Sequence, residues 1–265
     1  MFYKNSEKNS TDNYYNIITK NNPKSVVSEA YRTIRTNIQF SGVGKEIKTI
    51  MITSAIPNAG KTTVAINLSV VFANAGYKVI IIDCDFRNPS LKNAFKLNAV
   101  GFSNVIVGEK NLEDAIEPTG IKNLDVIGSG YIPPNPSEIL NSKKLTLLFE
   151  KLKTMYDYII IDTPPLLPVT DAAIIGSKVD GVIQIVHYDN ITPAEAKEAL
   201  NRLKKPGINI LGAILNNVDF GNKAYGYGYG YGYGYGYGYG AAYGTQENEE
   251  NKTEDKNVED SKTVK

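Results

Sequence analysis

Two segments of this chain are apolar almost throughout and end in an aspartate: Val79-Ile-Ile-Ile-Asp83 and Tyr158-Ile-Ile-Ile-Asp162. A strand with one wet face alternates apolar and polar residues, so runs like these require cover on both faces. Ile/Val-rich runs recur at 48–54, 124–127, 182–187 and 208–215, and helical patterns at 61–74, 141–155 and 193–204 fall between several of them. Strand and helix alternating in this way predict an α/β fold, in which right-handed crossovers build three layers, α/β/α, around a mainly parallel sheet. Overall makeup agrees, since 42% apolar and 22% charged residues in 265 exclude a disordered or fibrous chain.

Charge and cysteine usage exclude more. With 29 basic against 28 acidic side chains there is no broad field for nucleic acid or anionic lipid, and no nucleic-acid partner is expected. The lone Cys84 allows no intramolecular disulfide, and no apolar run precedes a cleavage site at the N-terminus. The longer apolar stretches are interrupted well short of the ~20 residues that span a bilayer. A cytoplasmic location without a membrane anchor of its own is the expectation.

The pattern divides the chain into four parts. Residues 1–22 are polar and read as a flexible arm, and 23–220 carry the globular domain. That domain begins with an amphipathic helix, 23–40, on which Val26, Ala30, Tyr31, Ile34 and Ile38 recur at helical spacing, with Glu29, Arg32 and Arg35 on one stripe. Of 18 tyrosines, nine crowd into a Tyr-Gly repeat within 221–245: Tyr225, Tyr227, Tyr229, Tyr231, Tyr233, Tyr235, Tyr237, Tyr239 and Tyr243. Residues 246–265, with seven acids against four lysines, read as a solvated tail.

The candidate chemistry sits where strand 48–54 turns into helix 61–74. Ser54-Ala-Ile-Pro-Asn-Ala-Gly-Lys-Thr-Thr63 resembles a Walker A phosphate loop. Backbone N–H groups around Asn58, Ala59, Gly60 and Thr63 would surround a triphosphate at the helix N-terminus, Lys61 would reach the β- and γ-phosphates, and the Thr62 hydroxyl would ligate Mg²⁺. Ala55 stands where the first glycine of the pattern is usual. Asn58 replaces another, and asparagine tolerates left-handed backbone, so the loop is expected to close. Asp83 and Asp85 at one strand end and Asp162 at another add hard oxygen donors, and in an open α/β sheet chemistry collects at those ends. Arg87, just beyond, has two uses open to it: neutralising charge on a transferred group, or pairing with a strand-end acid.

The phosphate loop, Ile-Ile-Asp83-Cys-Asp85-Phe-Arg87, Ile-Asp162-Thr-Pro-Pro165, the helix Ser28-Glu-Ala-Tyr-Arg-Thr-Ile-Arg-Thr-Asn37, the stretch Pro133-Pro-Asn-Pro-Ser-Glu138 and the terminal tyrosines together resemble the bacterial tyrosine kinases of capsular and exopolysaccharide synthesis. The likeness covers roughly 23–243 and is nearest to the type whose kinase chain is separate from its membrane activator. It implies a protein-tyrosine kinase using ATP and Mg²⁺. Asp162 would orient the metal's water shell, Asp85 would assist at the metal, and Asp83 would accept the proton of the attacking tyrosine. Asn216 matches a position that contacts adenine in related ATPases, or is a turn-forming asparagine. The nine tail tyrosines would be the phospho-acceptors, modified in trans by a neighbour. Glu29, Arg32 and Arg35 would form the subunit contact of a ring, although a self-paired helix face has the same spacing. The implied partners are a transmembrane activator that regulates chain length in polysaccharide export, through which the chain would be membrane-associated, and a phosphotyrosine phosphatase.

Two other readings compete. A partitioning or division-site ATPase of the same superfamily usually carries an additional lysine where Ile56 stands and often ends in a basic amphipathic helix. A silent nucleotide-binding scaffold is opposed by the complete set Lys61, Thr62, Asp83, Asp85 and Asp162. His187 lacks a second His or Cys nearby in sequence and is not read as a metal ligand, and Cys84 between two acids reads as inert packing.

Overall fold

A computed structural model describes residues 17–42, 44–204 and 207–218. Its elements in chain order are α1 (Ile18–Asn21), α2 (Val26–Ser41), β1 (Thr49–Ser54), α3 (Lys61–Asn74), β2 (Val79–Asp83), α4 (Leu91–Phe95), α5 (Phe102–Val107), β3 (Glu117–Ile121), β4 (Leu124–Ile127), α6 (Pro136–Leu140), α7 (Lys143–Met155), β5 (Tyr158–Asp162), α8 (Asp171–Gly176), β6 (Gly181–His187), α9 (Pro193–Lys204) and β7 (Ile210–Asn216). The strands form one seven-stranded sheet in the order β3-β4-β2-β5-β1-β6-β7. All neighbours pair in parallel except β3 with β4. This is the expected mainly parallel α/β/α sandwich.

The all-apolar runs split between two cores because successive side chains leave a strand on opposite faces. Ile80 and Ile82 of β2 pack with Phe102, Phe149, Leu152 and Leu203 of α5, α7 and α9. Val79 and Ile81 pack with α3 and with Tyr31 and Ile38 of α2. Every residue of β1 and β2 is buried. α3 is apolar nearly all round, as a helix lying between the sheet and α2 must be. Among the described residues no helix is long and apolar enough to cross a membrane.

Three features depart from expectation. The arm expected over 1–22 is not flexible at 17–22: Ile17 is buried, and Thr19 gives both its backbone N–H and its hydroxyl to Asn67 Oδ1 at 3.0 and 2.8 Å, binding this segment to α3. Strand β3 was not expected, since Pro118 and Gly120 are poor strand formers; as an antiparallel edge it tolerates a residue without an N–H. Helix α7 starts at 143 rather than 141, because the Ser142 side chain accepts from the backbone of Leu145 and caps it there. The parts expected at 221–245 and 246–265, with all nine acceptor tyrosines, lie outside the described residues.

Candidate active site

β1 ends at Ser54 and α3 begins at Lys61, so six residues must reverse the chain and present N–H groups at a helix start. Two left-handed residues do this: Asn58 with φ 57° and Gly60 with φ 88°. Asparagine serves at the first, as expected. At the second only glycine fits, because besides its φ a Cβ there would lie 2.1 Å from Asn216 Nδ2. Asn216, the last residue of β7, donates that amide to the Ala59 carbonyl at 2.9 Å. It thus fixes the turn before Lys61 from a strand 157 residues on.

Lys61 and Thr62 open α3 at the floor of a cleft of about 420 Å³, whose walls include Pro57, Asn58, Asp85, Arg87, Asn88, Pro164 and Pro168. Thr62 Oγ1 donates to Asp162 Oδ2 at 2.6 Å. The other oxygen of Asp162, Oδ1, is buried without a hydrogen-bond partner. β2 and β5 pair so that Asp83 lies level with Asp162. The three carboxylates differ in access. Asp85 is 8% exposed and lines the cleft. Asp83 is fully buried and accepts backbone N–H groups from Asp85 at 3.1 Å, Ser90 at 2.9 Å and Leu91 at 3.0 Å, so both its oxygens are engaged beneath the cleft. Asp85 in turn accepts from the Asn88 N–H at 3.0 Å.

Burial raises all three carboxyl groups above the usual range. Asp83 is pushed up to about 8, by burial first and by the neighbouring Asp162 second, against the N–H groups of Leu91 and Ser90. Asp162 is pushed up to about 7 by burial, opposed by the Thr62 hydroxyl and Lys61. Asp85 is raised by burial and lowered by the Asn88 N–H and Lys61. A site that charges its acids reluctantly when empty favours a cation entering beside them. The residues fit Mg²⁺ held with a nucleotide: Thr62 Oγ1, the unpartnered Asp162 Oδ1 and Asp85 are hard oxygen donors. Among the described residues no group of three His, Cys, Asp or Glu forms a cation site.

Arg87 takes a partner that was not anticipated. Its Nε and Nη2 bond Asp171 Oδ2 and Oδ1 at 2.8 and 3.2 Å, and the Ser137 hydroxyl donates to Asp171 Oδ1 at 2.5 Å. Asp171 opens α8 and is fully buried, but it is not a strand-end acid. No spacing rule links Asp171 to Arg87, 84 residues earlier. Arg202 was missed too; its Nη1 donates to the carbonyls of Leu166 and Leu167 at 2.9 Å each and anchors the proline loop after β5.

The stripe on α2 divides. Arg32 pairs with Glu29 within the helix, whereas Arg35 turns inward and donates to the Val71 carbonyl of α3 at 3.1 Å. Cys84 is buried, as expected of a packing residue, and burial first, with Asp83, Asp162 and Asp85 after it, pushes its thiol up. His187 keeps a buried Nδ1 without a partner.

The family model described as AAA domain matches residues 47–192. Tyrosine-protein kinase YwqD of Bacillus subtilis (strain 168) is 43% identical over 155 residues, 57% of this chain and 64% of that one, a little under two thirds of the relative's length. Among solved structures, the kinase domain of Escherichia coli tyrosine kinase ETK matches with a TM-score of 0.76 and 37% identity over 84% of this chain and 88% of that one. The septum site-determining protein MinD of Pyrococcus horikoshii, complexed with Mg-ADP, lies further away, with a TM-score of 0.55 and 30% identity over 64% and 70% of the two chains.

Proposed function

The chain belongs to the P-loop family of bacterial tyrosine-protein kinases, and on that premise we propose that it transfers the γ-phosphoryl group of Mg·ATP to tyrosines of its own kind between Tyr225 and Tyr243. The observation that carries this reading is the meeting of Thr62 with Asp162, whose second oxygen is buried and unpartnered, where Lys61, Thr62 and Asp85 line one cleft. A partitioning-type ATPase is disfavoured by Ile56 and by the greater distance of MinD.

In the reaction a phenol oxygen forms a bond to the γ-phosphorus, the bond from that phosphorus to the β–γ bridging oxygen breaks, and ADP leaves. Such transfer demands positioning and charge neutralisation more than covalent help. Lys61 and the N–H groups from Asn58 to Thr63 hold the phosphates. Thr62 and Asp162 would hold Mg²⁺, which would supply further neutralisation when bound, and this leaves Asp85 free for the proton. The phenol proton passes to a carboxylate. The resemblance gave this task to Asp83, but we assign it to Asp85, because Asp85 lines the cleft and Asp83 spends both oxygens on the 85–91 loop. Asp83 then holds that loop in shape.

The composition of the tail suits the acceptor role, because each tyrosine alternates with glycine, the residue that restricts the backbone least. Each phosphate adds roughly −1.5 to −2 charges, so successive modifications repel one another and grade the assembly of subunits. A separate transmembrane activator, a resetting phosphatase and a ring built through Glu29 and Arg32 complete the scheme, with the chain held at the membrane through its activator and serving capsular or extracellular polysaccharide synthesis. Arg35, committed to Val71, acts in that contact only by fixing α2 on α3.

The test is incubation with labelled ATP, Mg²⁺ and the cytoplasmic segment of the candidate activator. Wild type should accumulate phosphotyrosine; Lys61→Met should not, and phosphotyrosine persisting in that variant defeats the assignment.

A further inference from the structure

We infer that Asp171 and Ser137 are positioning residues that aim the Arg87 guanidinium at the terminal phosphoryl group of the bound nucleotide. The inference rests on the nucleotide reading of the cleft and adds to it two residues distant in sequence from the phosphate loop.

The pair is asymmetric. Asp171 is fully buried while the Arg87 side chain is 42% exposed. The acid is sunk into the fold, where the guanidinium and the Ser137 hydroxyl satisfy it, and the cation stands in the wall of the cleft with Lys61, Thr62 and Asp85. Two of the three guanidinium nitrogens are used, Nε and Nη2 on Asp171, and Nη2 also reaches Ser137 Oγ at 3.4 Å. Among the described residues Nη1 has no hydrogen-bond partner. A planar fork gripped along one edge has its remaining donors directed away from that edge, so the grip itself determines where the free N–H groups point.

Arg87 is held at its other end as well. The loop that bears it is wound around two carboxylates: Asp83 collects the N–H groups of Asp85, Ser90 and Leu91, and Asp85 collects that of Asn88. Backbone and side-chain tip are therefore both fixed before ligand arrives, which is the preorganisation that makes a cation effective where charge is moving. Lys61 follows the phosphate loop directly, whereas Arg87 lies in the cleft wall formed after β2, so the two cations approach a phosphate chain from separate segments. Ser137 joins α6 to this arrangement: its hydroxyl, donated to Asp171 Oδ1, keeps that oxygen turned toward Nη2. Two segments, at 137 and 171, converge on the guanidinium that a third supplies at 87.

The experiment is equilibrium binding of Mg·ADP and of Mg²⁺ with a non-hydrolysable ATP analogue to the full chain, alongside thermal melting. Wild type should prefer the triphosphate. Arg87→Ala should lose at least tenfold in triphosphate affinity with ADP affinity within twofold. Asp171→Asn should lose most of that preference, and Ser137→Ala, which leaves the ion pair in place, should lose it severalfold. Arg87→Lys should fail to restore it, because an ammonium cannot be gripped along one edge. Should Asp171→Asn not fold, Ser137→Ala and Arg87→Lys carry the test. Equal weakening of both nucleotides, or melting changes with the preference intact, would overturn the inference. So would unchanged binding with loss only of repeated modification along the tail, which would place Arg87 on phosphotyrosine instead. Binding needs no phosphoryl transfer, so a wild-type chain that discriminates the nucleotides but forms no phosphotyrosine counts against the kinase reading and not against this one.

Discussion

The side-chain amide of Asn216 donates to the carbonyl of Ala59 at 2.9 Å and occupies the space that a side chain at residue 60 would need. The last residue of β7 therefore sets the shape of the phosphate loop, three residues before the chain passes out of the described part toward its tyrosines. The adenine contact expected of Asn216 is a separate matter; within the protein its amide nitrogen is committed to the loop.

Removing this contact should loosen the loop without destroying it. One hydrogen bond is worth about 0.5–1.5 kcal/mol net, so Asn216→Ala should weaken Mg·ADP binding by roughly 2–10-fold in a titration. Gly60→Ala meets both the steric conflict and the left-handed backbone, the latter alone costing about 1–2 kcal/mol. The double variant should recover only the steric part of the loss; full recovery would mean that backbone strain at residue 60 is negligible.

Protons should leave when the metal nucleotide enters. Asp162 and Asp83 are raised by burial to about 7 and about 8, and a cation bound beside them restores ionisation. Calorimetric titration near pH 7 in buffers of different ionisation heat should show net proton release, smaller in Asp162→Asn. Stability follows the same linkage. The folded chain binds these protons more tightly than the unfolded chain, so their contribution is complete below pH ~4 and is lost as pH rises through about 7 to 8. The nucleotide-free melting temperature should therefore fall between pH 5.5 and 8 on account of these groups, and Asp162→Asn should flatten the slope.

Asp83 and Asp85 should separate in the laboratory as they do in access. Asp85→Asn should lower kcat by about 10²–10⁴-fold, the usual worth of a general base, with little change in melting temperature. Asp83→Asn places an amide donor against backbone N–H groups that now have an acceptor, so its first effect should be a lower melting temperature and a disturbed 85–91 loop. A stable Asp83→Asn chain with intact nucleotide binding and kcat reduced as far as in Asp85→Asn would return the proton to Asp83.

Transfer between subunits is measurable by mixing. An inactive full-length Lys61→Met chain should become labelled when an active chain truncated after residue 220 is supplied with ATP. No label on the full-length partner would confine the reaction to a single chain.

The short N-terminal helix has a stabilising role of its own. Asn67→Ala removes the acceptor of two buried Thr19 donors and should cost about 1–3 kcal/mol in denaturant unfolding, the penalty for leaving buried polar groups unpaired. Thr19 and Asn67 are 48 residues apart, and the polar composition of 1–22 gave no sign of the contact.

Much of this protein is legible along the chain because its signals are local. Ile/Val runs, the glycine and lysine of the turn, and aspartates at strand ends follow from hydrophobic periodicity and backbone sterics, which act over a few residues; hence the sheet, the phosphate loop and α3 over Lys61–Asn74 could be read directly. What only the tertiary structure decided are contacts between residues with no shared local pattern: Asp171 rather than a strand-end acid for Arg87, Val71 for Arg35, Ala59 for Asn216, and the burial that sinks Asp83 while leaving Asp85 in the cleft. Burial and pairing of a polar group depend on which segments the sheet order brings together, and no spacing between neighbours in the chain encodes that order.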